Sequence, residues 1–353
     1  MASIYDVAKL AGVSTATVSA VVNNRNTVEA GTRRRVQAAI KELHYQPNLY
    51  ASNLARHTTR LFGLIVSDIV NPFFGEVAQA IRAEAHAQGY EVSLAATQFA
   101  PADLVSTIRR MIGMRVAGVA IISTEIDPRA LEILRESRTP AVFEDVGTVS
   151  ETVSNIRIDY EGGIFKAVKY LIDLGHRKLL YVRSFPDGHR KEQAFLSIRL
   201  RTEAFRAAIR RFRPQGVQAE IVTYPGPGPR SGQQAMHKAR KQFDFTAVMA
   251  TADPVALGVL RGLRECGLSV PHDISLIGFD NSYFCEYLSP PLTSVNIPRA
   301  RLAQMVVDCL VRNVENQESG RELFLETDLI VRESTAPPAN HQASRGTASR
   351  YRE

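Results

Sequence analysis

Residues 4–22 carry their apolar side chains at helical spacing. Val7, Ala8 and Ala11 fall on one face of a first short helix, and Val18, Val21 and Val22 on one face of a second. Between them Gly12 supplies a permissive backbone for a turn, and Ser14 offers a hydroxyl to cap the second helix. A third helix is predicted over 30–43, where Val36, Ile40 and Leu43 share the face that would close a miniature core. Beyond Leu61 the pattern changes. Short β-branched runs at 62–67, 91–95, 118–123, 141–144, 155–158, 178–182, 220–224, 247–250, 275–278, 294–297 and 323–330 alternate with amphipathic stretches such as 73–88, 160–174, 203–212, 254–266 and 299–313. That alternation predicts parallel, doubly wound sheets. About 270 residues of it exceed one small sheet, so two stacked α/β subdomains are expected.

Two short helices joined by a tight turn make a helix-turn-helix. Thr15, Ala16 and Ala20 are left facing outward near the start of the second helix, where this motif presents side chains to base edges in the major groove. The charge distribution agrees. Residues 1–60 hold eight Lys and Arg against three acids, whereas the rest of the chain holds 35 against 33, so most of the net +7 lies where phosphates would be met.

The 353 residues are 45% hydrophobic and 22% charged, and no apolar run approaches the ~18 residues of a membrane helix. A globular chain without a membrane role follows. The start of the chain lacks the long apolar stretch of a signal peptide, and Cys266, Cys285 and Cys309 form neither a CxxC pair nor a disulfide framework. No histidine spacing suits a metal, so neither a metal nor a cofactor is expected, and the compartment implied is a bacterial cytoplasm. Residues 1–46 are assigned to the helix-turn-helix domain. Residues 47–60 form a linker in which Pro47 ends one element and Asn48 can cap a helix of about two turns, too short to stand alone. Residues 61–335 form the core, and 336–353, without periodicity, a disordered tail.

These residues carry a family resemblance. Tyr5-Asp6-Val7-Ala8, Ala11-Gly12-Val13-Ser14, Thr17-Val18-Ser19, Val21-Val22-Asn23, Tyr45-Gln46-Pro47-Asn48, Asn71-Pro72-Phe73-Phe74, Leu174-Gly175-His176-Arg177 and Gly278-Phe279-Asp280-Asn281 occur in the order and spacing of the lactose-repressor-like (LacI/GalR) bacterial transcription regulators. The chain resembles that family over residues 3–335. The resemblance implies an all-α helix-turn-helix head on an α/β, periplasmic-binding-protein-like core of two doubly wound subdomains. It implies a homodimer or a tetramer acting on a double-stranded operator within the nucleoid. Tyr5, Ser14, Thr15, Ala16, Thr17, Ser19, Ala20, Asn23 and Arg25 would touch DNA from the head. Asn48, Ala51, Leu54 and Ala55 would do so from the linker helix, with Leu54 wedged into a minor-groove step. Ser52 and Asn53 depart from the arginine often found after the position of Ala51. One hydroxyl and two methyls at Thr15, Ala16 and Ala20 favour thymine over bidentate guanine contacts.

In the core the resemblance implies a small effector in the cleft between subdomains, at the carboxyl ends of strands. Phe73, Phe74, Asp145, Ser197, Arg201 and Asp280 are the candidate contacts. Either phenylalanine could stack on a ring or a sugar face, and either could equally be core. Carboxylates accept from hydroxyls and Arg donates in a fixed fork, so the set suits a polyol or a carboxylated ligand; the alternative for Arg201 and Asp280 is a salt bridge to each other. Asp253-Pro254 reads as an N-cap followed by the first helical residue. The glycine- and proline-rich run 226–232 lacks the spacing and the lysine of a phosphate loop, and no nucleophile, base and metal constellation marks an enzyme. The expected function is therefore a sequence-specific transcriptional regulator, acting as a repressor under a small polar effector such as a sugar. The alternatives are a periplasmic-type solute-binding or chemoreceptor module, and a sugar-phosphate enzyme.

Overall fold

A computed structural model describes residues 2–22, 27–46, 59–125, 127–145, 149–185, 195–226 and 228–339. The chain divides into two units, Met1–Thr59 and Arg60–Glu353.

The described residues of the first unit form three helices, α1 (Ile4–Ala11), α2 (Thr15–Val22) and α3 (Ala30–Glu42). Ser3 opens α1 with a capping box: its hydroxyl accepts from the Asp6 N–H while the Asp6 carboxylate accepts from the Ser3 N–H. Gly12 ends it at φ 64°, a left-handed conformation that a side chain would strain. The Ser14 hydroxyl accepts from the Thr17 N–H at 3.2 Å, so the predicted cap of α2 is present. Val7, Ala8, Ala11, Val18, Val21, Val36 and Ala39 form the buried centre.

The described residues of the second unit form two six-stranded sheets. One has the order β11-β5-β4-β3-β1-β2 and is parallel throughout. Its strands are β1 (Leu61–Val66), β2 (Glu91–Ala96), β3 (Gly118–Ile122), β4 (Ala141–Glu144), β5 (Val153–Ile158) and β11 (Glu322–Leu325). The other has the order β12-β10-β9-β8-β6-β7, from β6 (Lys178–Phe185), β7 (Gln218–Pro225), β8 (Ala247–Ala250), β9 (Ser275–Asp280), β10 (Thr293–Asn296) and β12 (Asp328–Ile330). Only β12 runs antiparallel, beside β10. The first sheet packs with α4 (Pro72–Ala87), α5 (Pro101–Gly113), α6 (Pro128–Glu136) and α11 (Arg299–Asn316); the second packs with α7 (Tyr160–Asp173), α8 (Leu196–Phe212), α9 (Pro229–Gln242) and α10 (Asp253–Glu265). Helices on both faces explain why the central strands are apolar on consecutive residues.

The chain passes between the two lobes three times: from β5 to α7, from β10 to α11, and from β11 to β12. The third passage corrects the single strand expected over 323–330. Glu326 and Thr327 break it, and its halves pair in different sheets. Thr327 is fully buried and donates its hydroxyl to the Asp159 carbonyl at 2.7 Å, while the Asp159 N–H donates to the Leu325 carbonyl at 2.9 Å, so two of the passages are stitched together.

Two smaller expectations also change. Ala252, not Asp253, is the N-cap of α10, and the fully buried Asp253 carboxylate accepts from the Ser282 N–H at 2.6 Å and the Ser294 hydroxyl at 2.7 Å. Ala336, assigned to the tail, is tied down: its carbonyl accepts from the Ser275 hydroxyl and its N–H donates to the same oxygen. Residues 340–353 lie outside the described residues. Among the described residues no helix is long and apolar enough to cross a membrane.

Candidate functional site

The head presents the outer face of α2. Ser14 and Ala16 are exposed, and Thr15, Thr17, Ser19 and Ala20 half-buried, while Tyr5 on α1 is 74% exposed. Val18 and Val21, one helical turn away, are buried, so the miniature core fixes which side of α2 faces outward. Asn23, Arg25, Asn48, Ala51, Leu54 and Ala55 lie outside the described residues.

Between the lobes of the second unit, at the carboxyl ends of the strands, is a cavity of about 60 Å³. Phe73, Phe74, Ser197, Arg201 and Asp280 line it, joined by Asn71, Phe99, Thr124, Glu144 and Thr251. Five of the six predicted effector contacts are thus brought together. Asp145 is not on this wall. Its backbone turns at φ 63°, its carboxylate accepts from the Ile158 N–H at 2.9 Å and from the Tyr160 hydroxyl at 2.7 Å, and it borders a separate, wider cleft beside β5 and α8. Phe73 and Phe74 meet edge to face at 5.4 Å between centroids. Both are buried and both face the cavity, so core packing and cavity lining coexist.

Arg201, on α8, is held from every side. Its Nη2 lies 3.1 Å from Asp280 Oδ1, its Nη1 donates to the Thr251 carbonyl at 2.8 Å, and its guanidinium lies 4.1 Å from the Phe279 ring centre and 5.1 Å from that of Tyr160. Burial opposes its charge, but the Asp280 carboxylate together with Tyr160, Tyr181 and Glu144 outweighs burial and holds the guanidinium above its ordinary value. The ion pair considered from sequence therefore exists, and both partners still line the cavity. Among the described residues, four polar atoms at the site lack a directed hydrogen bond: Ser197 Oγ, Thr251 Oγ1, Arg201 Nε and Asp280 Oδ1, whose contact with Arg201 is close but off-angle.

Glu144 was not predicted. It ends β4, is buried, and accepts from the Tyr160 hydroxyl at 3.0 Å, so Tyr160 at the first interlobe passage joins Glu144 and Asp145. Burial, and then the neighbouring Asp145, pushes the Glu144 carboxyl up to about 8. Burial likewise raises Asp280 to about 7 and Asp145 to about 6. The folded state thus holds protons that the unfolded chain releases, and this contribution to stability is fully present below about pH 4 and falls as pH rises to about 8. His176 acts in the opposite sense below about pH 6.5, since burial lowers its affinity for a proton. Comparing the wild type with Glu144→Gln cancels that term. The expected result is a variant that gains on the wild type by on the order of 2 kcal/mol between pH 5.5 and pH 8.5 in thermal or urea unfolding; parallel pH profiles would show that Glu144 is ionised throughout.

The lobes are also latched outside the cavity. Glu76 on α4 accepts from the Tyr283 N–H and pairs with Arg299, both at 2.9 Å, and Arg299 donates to the Asp280 carbonyl at 2.6 Å. Across the cleft the Leu196 N–H donates to the Thr124 carbonyl at 3.0 Å. A site built from both lobes and bonded across its rim gives a ligand a direct influence on how the lobes are set.

Comparison with known proteins agrees with this architecture. Residues 3–48 match the family model described as bacterial regulatory proteins, lacI family, and residues 168–335 match that of a periplasmic binding protein-like domain. The chain is 32% identical over 336 residues to the HTH-type transcriptional repressor PurR of Vibrio vulnificus (strain CMCP6), covering 95% of this chain and 98% of the relative. It resembles the lac repressor dimer bound to operator and the anti-inducer ONPF at TM-score 0.79 and 29% identity, over 95% of this chain and 99% of that one. A LacI family transcriptional regulator from Enterococcus faecium with bound ribose matches at TM-score 0.68 and 27% identity, over 78% of this chain and 99% of that one. With a lacI-type helix-turn-helix, a two-lobed core and a repressor relative aligned along almost its whole length, this chain belongs to the LacI family of bacterial regulatory proteins.

Proposed function

We propose that the protein is a sequence-specific transcriptional repressor whose hold on its operator is set by a small polar effector in the interlobe cavity. The observation that carries this reading is the joining, in one chain, of a helix-turn-helix with its reading face outward and a two-lobed core with a polar, partly unsatisfied cavity. Residues 1–46 read the major groove through α2, residues 47–60 form the linker whose Leu54 enters the minor groove, and residues 61–335 sense the effector and dimerise. The working compartment is the bacterial cytoplasm, on the nucleoid. A solute-binding module explains the core but leaves the head without a purpose. An enzyme would need a nucleophile and base poised at the cavity, where the carboxylates are instead engaged with Tyr160 and Arg201.

Selection of duplexes from a random library by the full-length protein tests the proposal. The expected product is a near-palindromic site, because paired heads impose their two-fold symmetry on DNA. It should be bound more than tenfold tighter than its scrambled version at physiological salt. Methyl-rich readout through Ala16 and Ala20 predicts thymines beneath α2. Equal binding to selected and scrambled duplexes would overturn the proposal.

A further inference from the structure

We propose that Arg60 is a positioning residue for operator binding: it ties the start of the core to the far ends of the two helices whose near ends latch the lobes, and passes a change at that latch to the linker without itself touching DNA. This rests on reading residues 47–60 as the linker and the interlobe cavity as the effector site. Arg60 is the first residue of the second unit and directly precedes β1. Its carbonyl accepts from the Glu91 N–H at 2.9 Å. Its guanidinium is shared among three groups: Nη1 donates to the Gln88 carbonyl at 3.4 Å, Nη2 lies 3.7 Å from Glu315 Oε1, and the central carbon lies 5.2 Å from the Tyr90 ring centre. Tyr90 is a fixed platform, 3% exposed, stacked on Phe62 at 4.1 Å, with its hydroxyl donating to the same Glu315 oxygen at 3.1 Å. Gly89 leaves the guanidinium room, since a Cβ there would lie 3.2 Å from Nη1.

Gln88 is the C-cap of α4, and Glu315 lies in the last turn of α11. The opposite ends of the same two helices make the latch: Glu76 of α4 accepts from the Tyr283 N–H and pairs with Arg299, the first residue of α11, which also donates to the Asp280 carbonyl. Between these ends the helices pack on each other, with Val77, Ile81 and Ala85 of α4 and Leu302, Val306 and Leu310 of α11 buried in one core. Eighteen residues of α11 span roughly 27 Å. Helices packed tightly along their length shift as a body, so a displacement at the latch arrives at Gln88 and Glu315 and takes Arg60 with it. The side chains of Arg60 and Glu315 are 61% and 44% exposed, and a pair so open to solvent adds little to the stability of the core. What it fixes is the direction in which the chain leaves β1.

Full-length variants, with their fold confirmed by circular dichroism, are measured on the selected duplex and on its scrambled version. Arg60→Ala is expected to weaken binding to the selected duplex at least fivefold and to the scrambled one less than twofold, and Arg60→Lys to recover most of the loss. Glu315→Gln, which leaves Arg60 its charge, should weaken binding to the selected duplex in the same sense. An equal loss on both duplexes in Arg60→Ala, with the salt slope reduced by about one, would make Arg60 a phosphate contact and overturn the proposal; so would an unchanged affinity, or tighter DNA binding by Glu315→Gln. A double-mutant cycle tests the link to the latch. Glu76→Gln should change affinity for the selected duplex at least threefold in the wild type and less than 1.5-fold in the Arg60→Ala background, whereas uncoupled distant sites would give effects that multiply. Multiplying effects, or no effect of Glu76→Gln in the wild type, would overturn the proposal. A wild type that binds both duplexes equally removes the regulator itself; specific binding with multiplying effects removes only the role of Arg60.

Discussion

Replacing Arg201 with Ala is expected to lower the stability of the core by about 3–5 kcal/mol at pH 8, the range observed when one partner of a buried ion pair is removed. Asp280 is 2% exposed, and its nearest cation is Arg201. The same substitution strips the Thr251 carbonyl of its donor and leaves a void between Tyr160 and Phe279. Asp280 can answer by keeping its proton, so the loss should shrink as pH falls toward 5.5, where the stranded carboxyl becomes neutral. The double variant Arg201→Ala/Asp280→Asn should recover part of the loss at pH 8 and little at pH 5.5. Urea unfolding at the two pH values measures all of this. A loss below 1 kcal/mol at pH 8 would mean that solvent reaches the pair.

Gly258→Ala should cost about 2–4 kcal/mol, although alanine is the better helix former by about 1 kcal/mol. Gly258 sits where α10 crosses α9, and a Cβ there would lie inside the van der Waals envelope of the Pro229 carbonyl. A Cβ on Gly232 of α9 would likewise overlap the Val255 carbonyl, and one on Gly262 would approach the Gln233 carbonyl and Met236 Cβ at 2.8 Å. Backbone meets backbone along this seam, so no side-chain rotation can relieve the overlap. Gly75, inside α4 with nothing within 4 Å of its would-be Cβ, is the control, and Gly75→Ala should leave the midpoint unchanged or raise it. A Gly258→Ala protein as stable as the wild type would show that the helices can slide apart.

The same contrast explains what the amino-acid pattern can express. The helix predicted over 254–266 is observed at Asp253–Glu265, because its apolar spacing is local; that Gly258 and Gly262 mark a crossing depends on Pro229, Gln233 and Met236 of a partner helix well upstream. Leu323, Phe324, Leu325, Leu329 and Ile330 read as one strand because nothing in a short window names the sheet each half joins. At the cleft, Arg201, Ser197 and Asp280 were named because the family resemblance places a ligand at the strand ends. Glu144 was not, since it adjoins Asp145 and only the backbone turn after β4 decides which of the two carboxylates faces the cavity. Tyr160 reads as the first residue of a helix, and its contact with both acids appears only once α7 is set against β4.

The three interlobe passages also set a timetable for synthesis. The head is contiguous in sequence and can close its core once α3 has left the ribosome. The first lobe cannot: its last strand, β11, and α11 are translated more than 140 residues after β5, with nearly all of the second lobe in between. At ribosomal rates of roughly 5–20 residues per second, that is a wait on the order of ten seconds during which the edge of β5 has no neighbour. The second lobe waits in turn for β12 and for Ser334, whose hydroxyl bonds the Leu276 carbonyl at 2.6 Å. A nascent chain therefore owns a finished DNA-reading head before it owns a finished sensor, and both halves of the sensor are sealed by the same final fifteen residues of the core.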